Sequence, residues 1–158
     1  MMPKSLSLIG VILLLASCGN QPMYESYQRV SAEQWHQDSA VTFDVDITDT
    51  LAAYQVVWYL RNTDDYPFKN IYLFREVTSK RGKEFGDTAE FFLADDYGKW
   101  LGKGVGELKT NTWPFKQGYL RFNHAGTYTF TFQQAMRTTN LLGVKDIGLG
   151  IFKLKEEE

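Results

Sequence analysis

Gly126-Thr127-Tyr128-Thr129-Phe130-Thr131-Phe132 alternates aromatic and threonine side chains without a break. Successive side chains of an extended strand point to opposite faces, so the rings fall on one face and the hydroxyls on the other. Both residue classes suit a pleated, half-buried surface. The stretch predicts a strand with one face in a core, and the rest of the chain is read outward from it.

Upstream, Val41, Phe43, Val45 and Ile47 alternate with Thr42, Asp44 and Asp46. Tyr54, Val56, Trp58 and Leu60 alternate with Gln55, Val57, Tyr59 and Arg61. Residues 71–78 form a third strand, apolar on both faces at its start, and residues 88–94 a fourth with Ala89, Phe91 and Leu93 on one face. Residues 107–113 read as a weaker strand and 119–122 as a short one. Ile147, Leu149 and Ile151 mark the last, over 146–154. Phe43, Trp58, Phe91, Tyr128, Phe130 and Leu149 are the expected inward-facing residues.

The intervals between these runs carry turn chemistry. Thr48-Asp49-Thr50 is a turn, and Pro67 denies a ladder donor in the loop after Asn62. Residues 80–86 read as a charged connection. Residues 95–106 hold Gly98, Gly102, Gly104 and Gly106, a density that signals turns or close backbone approach. Residues 135–142 read as one or two helical turns stopped by Gly143. About eight short strands with turn signals every 8–12 residues predict an all-β, antiparallel β-sandwich, jelly-roll-like in topology. A closed lipocalin-like barrel is the alternative.

The N-terminus sets the compartment. Lys4 precedes an apolar run from Leu6 to Ala16, too short for a bilayer span of roughly 20 residues. Leu15-Ala16-Ser17-Cys18 then places small residues before the chain's one cysteine. This is the pattern of a bacterial lipoprotein signal, cleaved before Cys18 after a diacylglycerol is attached to its thiol. The expected organisation is residues 1–17 as signal peptide, 18–34 as flexible tether, 35–155 as a single β-sandwich domain and 156–158 as a charged tail.

Using the only cysteine for lipid leaves no disulfide and no thiolate metal site. The formal charge of −2 becomes −3 when Lys4 is removed, a mildly acidic balance without a basic footprint for nucleic acid. His36 and His124 stand in no metal spacing. Asp44 and Asp46 share a strand face with Asp49 in the turn beyond. The plainer reading of that trio is a solvated face rather than a metal site. No G-x-S-x-G occurs, and Gly102-Lys103-Gly104-Val105-Gly106 lacks the Lys-Ser/Thr of a phosphate loop. No cofactor is expected apart from the covalent lipid on Cys18.

Trp100 and Trp113 lie outside the clean alternating strands. Either can anchor a partner protein, with Lys99 and Lys103 supplying charge around it, or seal an end of the sandwich.

Several stretches share one further property. Tyr66-Pro67-Phe68, Asn70-Ile71-Tyr72-Leu73-Phe74, Asp87-Thr88, Leu93-Ala94-Asp95, Gly98-Lys99-Trp100-Leu101-Gly102-Lys103-Gly104, Gln134-Ala135-Met136-Arg137 and Asp146-Ile147-Gly148-Leu149 occur in that order. With the lipidation motif, they resemble the GldH family of gliding-motility lipoproteins over most of the mature chain. The resemblance implies a Bacteroidota cell-envelope lipoprotein, anchored to membrane through lipid on Cys18 and facing the periplasm. It implies other gliding and type IX secretion envelope proteins as partners, and no catalytic residues. A non-enzymatic accessory role through protein–protein interaction is the resulting expectation. A carbohydrate-binding lipoprotein is the first rival, which an exposed row of Trp and Tyr would favour. An envelope hydrolase, needing a cleft with converging polar groups, is the second.

Overall fold

The computed structural model describes residues 21–30, 32 and 34–155. Cys18, the signal segment and residues 156–158 lie outside the described residues. The strands are β1 (Tyr24–Arg29), β2 (Gln34–His36), β3 (Ala40–Ile47), β4 (Tyr54–Asn62), β5 (Asn70–Ser79), β6 (Gly82–Phe92), β7 (Lys109–Pro114), β8 (Gly126–Gln134), β9 (Asn140–Leu142) and β10 (Val144–Lys153).

They pair as a rolled-up hairpin. β5 pairs with β6 at the tip, and outward from it come β4 with β7, β3 with β8, β2 with β9 and β1 with β10, all antiparallel. Rolling this ribbon also brings β10 beside β4 and β8 beside β5. Two four-stranded sheets result, β1-β10-β4-β7 and β3-β8-β5-β6, with β2-β9 as a separate pair. This is the jelly-roll sandwich that the strand spacing predicts.

The period-two pattern fills the space between the sheets. Phe43, Trp58, Tyr128, Phe130, Phe132 and Leu149 are buried there. Phe132 meets Phe43 edge-on at 6.1 Å and Trp58 at 5.6 Å, and Phe115 lies edge-on to Phe130 at 5.4 Å. Phe91 is only partly buried, because β6 and β7 are edge strands and the flank between them is less covered.

Arg75 occupies an inward position of β5 on this flank. Its Nε and Nη2 donate to the carboxylate of Asp87 at 2.9 and 2.5 Å, and its Nη1 donates to the Phe115 carbonyl at 2.8 Å. The guanidinium also lies over the Phe115, Phe91 and Phe85 rings, 4.8 to 5.7 Å from their centroids. It closes the core where aliphatic side chains stop.

Four expectations need correction. The short strand expected over 119–122 is loop with a single bridge from Leu120 to Tyr54. The tether expected over residues 18–34 contains β1, and the domain begins before Trp35: the Met23 amide already donates to the Ile151 carbonyl at 2.7 Å. β1 hides from a periodicity search because it is an edge strand with mostly exposed side chains. Its visible contact is Tyr27, which stacks on Tyr59 at 5.3 Å across Gly148, on the face away from the core. A Cβ at Gly148 would stand 2.6 Å from the Tyr27 ring. The turns expected over 135–142 are instead a bend followed by β9, which pairs with β2. The connection expected over 80–86 belongs mostly to β6, which begins at Gly82.

Candidate functional site

The jelly roll sorts its connections to two ends. One end carries the β3–β4 and β7–β8 loops, the β5–β6 turn and the start of β1. The other carries the connections after β2, β4, β6 and β8, including residues 93–108, where Lys99, Trp100 and Lys103 lie.

This segment is held tightly. Leu93 and Ala94 donate their amides to the Lys69 carbonyl at 2.8 and 3.0 Å, which fixes the exit from β6. The Asp95 carboxylate accepts the amides of Tyr97 and Lys99, both at 2.9 Å, and Gly98 closes the turn with φ of 80°. The chain returns through a bridge between Ala94 and Trp100, and the Leu101 amide donates to the Leu93 carbonyl at 2.8 Å. A second bridge joins Lys103 to Thr110, extending the β7 edge. The Lys69 ammonium pairs with Asp96 at 2.8 Å, which holds the aspartate below its usual carboxylate range and raises the lysine.

The result is two ordered turns whose tips are apolar. Tyr97 is 97% exposed and Val105 is 99% exposed, with Leu101 exposed between them. Lys99 and Lys103 are exposed beside them. Trp100 is half-buried and lies edge-on to Tyr66 at 6.4 Å. Tyr66 is itself buried, donating its hydroxyl to the Asn70 carbonyl at 2.8 Å, and burial pushes its pKa up. Trp113 lies in β7, stacked on Trp58 at 4.6 Å with Phe91 alongside. A shallow groove of about 330 Å³ brings Trp113 and Lys103 together with Leu101 and Phe92, whereas Lys99 and Trp100 stand on the other limb of the segment.

The glycines here serve the segment itself. Gly98 and Gly106 take positive φ, and Gly104 passes so near the Leu108 carbonyl that a Cβ would sit 2.1 Å from it. The residues that sequence reasoning missed are Tyr97, Leu101 and Val105. Their signal was available: a tyrosine inside Asp-Asp-Tyr-Gly and a valine between two glycines belong to turn tips, where no core can cover them.

The remaining polar candidates are engaged locally. Asp44 and Asp46 accept hydroxyl protons from Thr129 and Thr127, each at 2.6 Å. Asp49 caps the Leu51 and Ala52 amides and pairs with Lys153 at 2.6 Å. At the other end, His124 Nε2 lies 3.1 Å from the Ser79 hydroxyl and 3.6 Å from Glu84. A nucleophilic relay needs the acid on the ring nitrogen that faces away from the serine. Here Ser79 and Glu84 share Nε2 and hydrogen-bond each other at 2.6 Å, while Nδ1 faces the Tyr128 hydroxyl. That geometry does not form the relay.

Among the described residues, no helix is long and apolar enough to cross a membrane. Of solved structures, dimeric latent PorU from Porphyromonas gingivalis aligns at 9% identity with a TM-score of 0.30, over 86% of this chain and 14% of that one. That likeness is too distant to carry an argument. The sequence relatives are much nearer. A gliding motility lipoprotein GldH homolog of Christiangramia forsetii is 34% identical, with 92% of each chain covered. Gliding motility lipoprotein GldH of Flavobacterium johnsoniae is 30% identical over 91% of this chain and 92% of its own. Residues 22–151, from just before β1 into β10, match the profile of the GldH lipoproteins. The rolled hairpin, from its first strand to its last, therefore belongs to the GldH lipoprotein family.

Proposed function

We propose that this chain is a non-catalytic, lipid-anchored accessory protein of the gliding machinery, facing the periplasm. It acts by binding another envelope protein through residues 95–106. Family membership supports the lipoprotein and gliding parts of this reading. One observation carries the interaction part: Tyr97, Leu101 and Val105 are held out in water by a segment pinned by the Ala94–Trp100 and Lys103–Thr110 bridges. Exposed apolar side chains on a preorganised backbone lose little entropy on binding. Lys99 and Lys103 supply a charged rim, Trp100 braces the segment against Tyr66, and Trp113 floors the neighbouring groove.

Tyr97→Ala combined with Val105→Ser tests the surface. Both positions are exposed, so the variant is expected to keep its Tm and abundance. A photo-crosslinker at Leu101 should join wild type to a discrete envelope partner of the gliding or type IX secretion machinery, and the double variant should lose the adduct. Hot-spot truncations cost about 2 kcal/mol or more, roughly a thirtyfold loss of affinity. An undiminished adduct would refute the surface. Trp100→Ala separates anchor from brace: an anchor loses the adduct at normal abundance, whereas a brace loses stability first. Palmitate labelling that is equal in wild type and Cys18→Ser would remove the anchor from the reading.

A further inference from the structure

We infer that the sandwich end carrying the start of β1 lies on the bilayer itself, with Leu51 and Tyr119 in the interfacial layer. Lys80, Arg81, Lys116 and Arg121 then face anionic lipid headgroups. This rests on the reading that Cys18 carries the lipid.

The first argument is length. The ladder already includes Met23, bonded to Ile151, and Cys18 lies five residues before it. Five extended residues reach at most roughly 17 Å. A nine-residue strand such as β4 spans about 30 Å. The attachment point therefore stays near the end where β1 starts, within a distance shorter than the sandwich itself.

The second argument is what the topology gathers there. The β3–β4 loop presents Leu51 and the β7–β8 loop presents Tyr119, 79% and 59% exposed. They are neighbours: Arg121 donates to the Leu51 carbonyl, and its guanidinium lies 5.8 Å from the Tyr119 ring centroid. An exposed tyrosine has the amphipathic ring that settles at headgroup depth.

The third argument is charge. Lys80 and Arg81 form the tip of the β5–β6 turn, and Lys116 lies over the Phe85 ring beside Arg121. Two acids at this end are paired with lysines, Asp49 with Lys153 at 2.6 Å and Glu76 with Lys83 at 2.8 Å, and Glu84 accepts the Ser79 hydroxyl proton. Asp46, which accepts the Thr127 hydroxyl proton, and Glu25 on β1 keep their charge on the outer strand faces. Among the described residues, Lys80, Arg81, Lys116 and Arg121 form no ion pair. Lys155 is left out of this group because the acidic residues 156–158 follow it. Clustered lysine and arginine next to a lipid anchor is the pattern that binds anionic headgroups. With this end on the membrane, Tyr97 and Val105 at the far end point away from it.

The test uses the lipidated full mature chain in phosphatidylcholine vesicles, with and without phosphatidylglycerol. The native thiol is blocked by lipid, so Leu51→Cys, Tyr119→Cys, Tyr97→Cys and Val105→Cys each take one fluorophore. Quenching by lipids carrying a headgroup nitroxide should be several-fold stronger at positions 51 and 119 than at 97 and 105. The ratio should fall toward one without phosphatidylglycerol or with Lys80→Glu and Arg81→Glu together. Equal quenching at both ends, or the reverse order, overturns the inference. A ratio indifferent to phosphatidylglycerol and to the charge reversals overturns the headgroup assignment. Flotation separates the two readings. A wild-type chain that does not float with vesicles sinks the Cys18 reading and the inference with it. One that floats but quenches uniformly sinks the inference alone.

Discussion

Asp87→Asn should destabilise the domain more than Arg75→Met, although the two side chains form one ion pair. Only 7% of the Arg75 side chain is exposed, against 34% for Asp87. Removing one partner of a fully buried pair costs about 3–5 kcal/mol, because the other charge stays buried without compensation. Asp87 is one-third open to water, and Arg75 keeps the Phe115 carbonyl and three phenyl rings. We therefore expect about 2–3 kcal/mol for Asp87→Asn. In Arg75→Met the carboxylate turns to solvent, and the methionine keeps the packing of the arginine stem. What is lost is the donor to the Phe115 carbonyl, about 1 kcal/mol. The double variant should resemble Arg75→Met alone, which gives a coupling of about 2–3 kcal/mol, the full cost of Asp87→Asn. Equilibrium urea unfolding of the mature chain carrying Cys18→Ser measures all four corners of the cycle. If Arg75→Met proves the more costly single change, or the two changes add, the guanidinium is not the desolvated partner and the argument fails.

Phe130→Ala should cost roughly 3–5 kcal/mol and lower Tm by about 10 °C or more, and an unchanged Tm would refute the register of β8. Gly148→Ala drives a Cβ into the Tyr27 and Tyr59 rings. It should cost about 1–3 kcal/mol. Adding Tyr27→Ala should recover part of that loss, and strict additivity of the two would show that the rings are not the obstacle. Asp49 is held below its ordinary pKa first by the Lys153 hydrogen bond and then by the Ala52 and Leu51 amides. Its contribution is thus complete above the unfolded pKa of about 3.9 and is lost as pH falls through the lower folded value. Wild type should exceed Asp49→Asn in stability at neutral pH and converge with it in acid, so a gap that persists in acid would contradict the assignment.

The local pattern determined the core. Alternation in β3, β4 and β8 reads directly as buried faces, because a strand covered on one side must place apolar groups at every second residue. β10 shows the same apolar alternation but is buried on both faces, its glycines lying under Tyr27 and Tyr59. The strand spacing and turn residues then led to a jelly-roll-like sandwich. The expectation of a lipidated Cys18 likewise rests on local pattern alone, a cysteine at the end of an apolar run within a few consecutive residues.

What the tertiary structure decided lies where a residue's environment is set by chain far away in sequence. β1 is a strand because β10 offers it a free edge, and its Tyr27 packs outside the core, so no alternation announces it. Residues 140–142 are extended because β2 stands opposite them. Trp100 and Trp113 look alike in sequence, yet one lies in a loop edge-on to Tyr66 while the other stacks on Trp58 in a strand pair. Arg75 holds an inward position that a sequence pattern assigns to an apolar residue; Asp87 and two rings of β6, with Phe115 from the loop after β7, make it tolerable there. The cations at 80, 81, 116 and 121 become one patch only when rolling the hairpin brings its tip beside the β7–β8 loop. Burial and charge clustering depend on distances in space, and periodicity reports only the faces of single strands.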